Sequence, residues 1–201
     1  MNQDSNYYHV MRRQPLQNKV LAWWARLHRD EQTLQNLEWN GNKQPLPRGI
    51  AAELRRCRTV DDAILTEGFR HLWLSLTEDE AGQSWTMMAW ATVAAVLAEV
   101  RSQSSTSFAR AMGSQKDQTG KPYLSELRFA QLQKSHDADI FLKRARRAVA
   151  LLGNQAHVLS LADSILHWHE EKHGRISQQP EKRLTVRWAM DYFTALSEYQ
   201  K

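Results

Sequence analysis

His169-Glu170-Glu171-Lys172-His173 fits the pattern H-E-x-x-H. On a helix, residues four apart share a face, so His169 and His173 could hold one zinc ion while Glu170 activates a water. That is the chemistry of a zinc hydrolase. A working site also needs a third protein ligand and an open coordination position. Only 28 residues follow His173, and their acids, Glu181, Asp191 and Glu198, sit in no recognisable ligand setting. No strand is apparent that could hold a peptide substrate. The expectation is therefore that His167, His169, Glu170, Glu171, Lys172 and His173 form the wet face and end of an amphipathic helix. On this reading the chain has no catalytic residues, no metal and no cofactor. A zinc hydrolase using His169, Glu170 and His173 stands as an alternative.

A second stretch, GSQKDQTGKP, resembles a phosphate-binding loop only in part. Six residues separate Gly113 from Gly120, and Pro122 replaces the hydroxyl residue that would bind magnesium. A nucleotide triphosphate site is not expected. Lys116 and Lys121 could still touch a phosphate backbone, because that takes charge and reach rather than a cradle.

The cations carry more information. The chain has 27 Lys and Arg against 22 Asp and Glu, a net charge of +5 and a pI near 9.5. Residues 101–150 hold ten cations and four acids, more than the whole surplus of the chain. Within them, DADIFLKRARRAVALLG places Phe141, Ala145, Ala148 and Leu152 in one narrow helical stripe. The same wheel puts Lys143, Arg146 and Arg147 on the outer face, with Arg144 flanking the stripe. Arg110, Lys116, Lys121, Arg128 and Lys134 precede this run, and a smaller knot, Arg55, Arg56 and Arg58, lies upstream. Such runs are often only a solvated surface. Excess on this scale favours a continuous face for a polyanion.

These residues need a scaffold, and its composition points to helices. Hydrophobic residues make up 42% of the 201-residue chain, while Gly (8) and Pro (5) are scarce. A single cysteine, Cys57, cannot form an internal disulfide and fits a reducing compartment. The opening MNQDSNYYHVMRR has no apolar run of a secretory signal, and Trp85 to Val100 is too short to cross a bilayer. A cytoplasmic protein with no membrane contact is expected.

Apolar spacing predicts helices over 18–34, 49–57, 60–76, 84–97, 108–112, 126–134, 138–152, 156–173 and 181–199. Thr59 and Asp137 read as caps. Eight tryptophans at helical spacings read as core packing, with base stacking the lesser reading. The predicted fold is all-α, a helical bundle in two packed parts with no sheet. Residues 1–16 form a polar extension, 17–113 an N-terminal helical domain and 114–201 a C-terminal bundle.

One ordered set of residues resembles a known family. Ser107, Arg110 and Ala111 form an S-x-x-R-A element. The helix SELRFAQLQKS follows, with Glu126, Arg128, Gln131 and Leu132. A run from Asp137 to Ala148 of the form D-x-D-x-F-L-[KR]-R-x-R-R-A comes next, and Leu151-Leu152-Gly153 closes it. Upstream, RGIAAELRRC matches a basic N-terminal segment. The set is similar to the CasB family, the small subunit of the type I-E CRISPR surveillance complex Cascade.

The resemblance implies a helical protein without enzymatic activity. Two copies would sit beside the guide RNA, the target strand and the displaced DNA strand, among the backbone and large subunits of Cascade. Contacts to nucleic-acid backbones would stabilise the R-loop while base pairing supplies specificity. H-E-x-x-H is not part of the family pattern. Beside this reading stands that of a helical adaptor whose basic face meets an acidic protein.

Overall fold

The computed structural model describes residues 8–82 and 84–200. Helices dominate them, in the order α1 (Gln14–His28), α2 (Glu31–Asn36), α3 (Ile50–Arg56), α4 (Val60–Ile64), α5 (Glu67–Trp73), α6 (Glu78–Ala81) and α7 (Ser84–Leu97). Then come α8 (Phe108–Gly113), α9 (Glu126–Gln133), α10 (Ala138–Leu151), α11 (Val158–Lys172) and α12 (Leu184–Ser197), the last preceded by a 3-10 turn at Pro180–Lys182. The chain is broadly all-α, as its composition predicts.

The expectation of no sheet is corrected by two short strands, β1 (Ser102–Gln103) and β2 (Gln155–Ala156). They pair in parallel, Ser102 opposite Gln155 and Gln103 opposite Ala156. Two residues per strand are too few for an alternating pattern to show in sequence. They join the exits of α7 and α10, where Arg101 N–H also donates to the Asn154 carbonyl at 2.8 Å.

Helix α7 is the hub. Its apolar residues from Ala89 through Leu97 are buried, and α4, α5, α10 and α11 pack around it. Five of the eight tryptophans are buried, and Trp39, Trp73 and Trp85 lie partly buried against the same core. Three buried indole N–H groups find acceptors: Trp23 the Gly68 carbonyl at 3.0 Å, Trp24 the Val100 carbonyl at 2.9 Å, and Trp188 the Ser164 hydroxyl at 3.0 Å. Pairing of buried donors is the rule, and the indole N–H groups of Trp39 and Trp168, buried without an acceptor among the described residues, are exceptions to it.

The helix expected over 60–76 is two. Thr59 and Asp62 form a reciprocal capping box at the start of α4. Thr66 then donates its hydroxyl to the Ala63 carbonyl and accepts from the Phe69 N–H, ending one helix and capping the next. At the far end of the chain, α8 meets α12 backbone to backbone. A Cβ at Gly113 would stand 2.3 Å from the Tyr192 carbonyl oxygen, so only glycine permits the approach.

Residues 8–16, set apart above as an extension, are fastened to α11; residues 1–7 lie outside the described residues. The Asp163 carboxylate accepts backbone N–H groups of His9, Val10 and Met11 at 3.0, 2.7 and 2.9 Å. Gln17 donates to the Met11 carbonyl at 2.7 Å, and Met11 is fully buried.

Candidate nucleic-acid interface

Helix α10 organises the basic residues. Asp137 caps it by accepting the Ile140 N–H at 2.7 Å, and Phe141, Leu142, Ala145, Ala148 and Val149 bury its inner face. Phe141 stacks on Trp168 of α11 with ring centroids 4.3 Å apart. This packing leaves Lys143 and Arg147 exposed on the outer side, as the helical wheel predicts.

Arg146 departs from that wheel. Its guanidinium folds back between elements and donates to the carbonyls of Cys57 (2.5 Å), Leu54 (2.6 Å) and Ala95 (3.1 Å). Glu99 lies 3.7 Å away, and burial pulls the guanidinium below its ordinary pKa, with Glu99 opposing. The wheel reports where a Cβ points; an arginine stem is long enough to bend from there to carbonyls of neighbouring elements. Arg144 is also engaged, donating to the Gln131 carbonyl at 2.5 Å and the Ser135 hydroxyl at 3.2 Å at the end of α9.

These bonds gather two other elements around α10. On one side stands the end of α3, where Arg56 and Arg58 are exposed and Arg55 is half-buried, donating to the Ala98 carbonyl at 3.2 Å. Asp139 of α10 accepts the Val60 N–H at 2.8 Å and pins the start of α4 there. On the other side is α9, with Arg128 and Lys134 exposed.

Arg110 belongs to a different neighbourhood. It is half-buried on α8 and forms an ion pair with Glu198 just beyond α12. The polar loop after α8 is a hairpin: Lys116 N–H donates to the Lys121 carbonyl at 2.8 Å, and Gln115 pairs with Pro122. Positive φ at Asp117, Gln118 and Gly120 turns the chain at its tip, and both lysines are exposed. Lys116, Lys121, Arg128, Lys134, Lys143 and Arg147 form no ion pair with a described residue.

The H-E-x-x-H segment overturns the expectation of a wet helix face. His167 and His169 are buried, Glu170 and Glu171 are half-buried, and only Lys172 and His173 are exposed. Helix α11 lies between α1, α7 and α12, so most of its surface is covered. The Thr92 hydroxyl donates to the Met88 carbonyl and therefore accepts from His169 Nε2–H, at 3.0 Å. His173 Nδ1 donates to the His169 carbonyl, and its ring stacks on Trp85. Glu170 pairs with His9 at 3.1 Å. The nitrogen of His169 that would meet a metal is committed to Thr92. Among the described residues no three or more His, Cys, Asp or Glu converge as a metal site.

Burial, with His173 adding repulsion, lowers the His169 pKa from 6.5 to about 3; burial likewise takes His28 to about 4. The unfolded chain therefore takes up these protons first. Their contribution to stability is complete above pH 6.5 and is lost as pH falls toward 3. By pH 5, His169 alone costs about 2 kcal/mol. Urea unfolding at pH 7 and pH 5 measures this, and His169→Gln should shrink the difference by about that amount. An unchanged difference would show that the ring is not held neutral.

No motif marks Asp163, which holds the N-terminal segment. A lone acid within the apolar run VLSLADSIL is the signal that could have found it.

With this geometry in place, the comparisons give one match. A family model described as CRISPR-associated protein Cse2 matches residues 51–193, well over half of the chain, a span that runs from before Arg55 to beyond Arg147. No curated protein and no solved structure matches.

Proposed function

The chain belongs to the Cse2 family of CRISPR Cascade subunits, and from that membership we propose that it binds nucleic-acid backbones without sequence preference and so stabilises the R-loop. The observation that carries this reading is the grouping around α10. Lys143 and Arg147 stand exposed on its outer side, and the Arg56–Arg58 segment is bonded against the same helix. Phosphate neutralisation by such residues releases counterions and is indifferent to base identity. Arg128 and Lys134 on α9 extend the face. Arg110, Lys116 and Lys121 on the α8 side provide a further contact region. The proposed ligands are the guide RNA, the target strand and the displaced DNA strand, within a complex containing the other Cascade subunits and a second copy of this chain. No step of this function requires catalysis by the chain itself.

Single-stranded DNA of several mixed sequences, titrated with salt, tests the proposal. Affinity should vary little with sequence, and log K should fall with log salt at a slope of about −0.7 for each phosphate contacted. Failure to bind at low salt, with capture of an acidic Cascade subunit instead, would favour an adaptor role for the same face.

A further inference from the structure

Arg146 sits between two exposed cations of α10 in sequence, yet its own charge is turned away from solvent. The two carbonyls it grips most closely, those of Leu54 and Cys57, bracket Arg55 and Arg56, and Arg58 follows directly. Its Nε and Nη2 also reach the Ala95 carbonyl on α7, at 3.2 and 3.1 Å. One planar fork thus ties three elements together: α10, the end of α3 and the hub helix. Lysine cannot do this, because its single ammonium lacks donors held in a fixed plane.

We infer that Arg146 is a positioning residue, which holds the Arg55–Arg58 segment against α10 so that the knot and the outer cations of α10 present one phosphate-binding face. The inference rests on the backbone-binding reading above. It assigns Arg146 no phosphate of its own.

The discriminating variant is Arg146→Lys in the full chain, with helicity monitored by circular dichroism. Lysine keeps the positive charge, so a direct phosphate contact would survive the change. A clamp would not. Two readouts are needed, salt-titrated binding of mixed-sequence single-stranded DNA and the labelling rate of Cys57 by a thiol reagent. Cys57 is the chain's one cysteine and is buried at the gripped segment.

Arg146→Lys should bind about tenfold more weakly. Its salt slope should be shallower by about 0.7 to 1.4, the share of one or two phosphates contacted by the knot. Cys57 labelling in the native protein should rise severalfold. In an Arg56→Gln, Arg58→Gln background the same substitution should have no further effect on affinity, because the exposed cations of the segment it positions are already gone, while Arg55 is bonded to the Ala98 carbonyl.

Wild-type binding with Cys57 still protected in Arg146→Lys overturns the inference. So does a full additional loss in the double-variant background, which would make Arg146 a phosphate ligand in its own right. A wild-type chain that binds no DNA overturns the functional role. That outcome is distinct from failure of the clamp, since Cys57 becomes reactive in Arg146→Lys only if the clamp exists. Should Arg146→Lys not fold, Arg146→Gln, which can still reach one carbonyl but drops the charge, is read by Cys57 labelling, expected to rise, and by affinity in the Arg56→Gln, Arg58→Gln background, expected not to fall further.

Discussion

Replacing Arg56, Arg58, Lys143 and Arg147 together with glutamate should abolish binding of single-stranded DNA at near-physiological salt and leave helicity unchanged. All four side chains are exposed. Of their side-chain donors, Arg56 bonds only its own helix, at the Ala52 carbonyl. Reversal therefore removes no tertiary bond of the fold. If each of the four contacts one phosphate, their loss flattens the salt slope by about 3, and affinity falls by about a hundredfold or more. Circular dichroism and a gel shift on the same sample check both halves. Retained affinity with intact helicity would remove this face from the proposed function and leave Arg110, Lys116 and Lys121 as the remaining candidates. Arg144 and Arg146 are unsuited to this test. Their guanidinium groups satisfy carbonyls of neighbouring elements, so reversing them would confound binding with loss of packing.

Asp163→Ala should be the most destabilising single change away from the apolar core. The carboxylate is buried, accepts three consecutive backbone N–H groups, and lies 3.7 Å from the Arg187 guanidinium. Truncation leaves these donors without their acceptor and Arg187 without its buried counter-charge. The expected cost is about 4 kcal/mol, equivalent to a fall in melting temperature of about 10 °C. Asp163→Asn should recover part of the loss, because its amide oxygen still accepts while its NH2 group cannot. Thermal melts of the three proteins measure this. Amide exchange at residues 9–11 should quicken in the order wild type, Asn, Ala. A melting temperature within about 2 °C of wild type for Asp163→Ala would show that the segment is held by Met11 and Leu16 packing instead.

Much of the helical layout is legible in the residues because its signals are local. Asp137 and Thr59 cap where their side chains predict, and α7, α8, α9 and α10 fall close to their expected bounds, since capping and apolar spacing act within a few residues. The split at Thr66 is local too, but a threonine inside an apolar helix pattern is ambiguous until its hydroxyl is seen to bond backwards and forwards. The basic excess of residues 101–150 and the ordered motifs that resemble the CasB family are likewise properties of composition and order. The match over residues 51–193 accords with them.

From the order of its residues alone the chain reads as mostly helical, similar to the CasB family and with its cations concentrated on a few elements. What each charged side chain does there depends on which elements pack around it. Periodicity gives the direction of a Cβ. It does not say which carbonyls lie within reach of a long guanidinium, so Arg146 reads as outward yet binds inward. Nor does it say how many neighbours surround a helix, so the histidines of α11 read as wet but are buried, His169 neutral against Thr92. Asp163 is the same case for an acid: its three donors come from residues more than 150 positions away in the chain. Burial and hydrogen-bond partnership are set by which elements pack together, and no spacing along one helix contains that information.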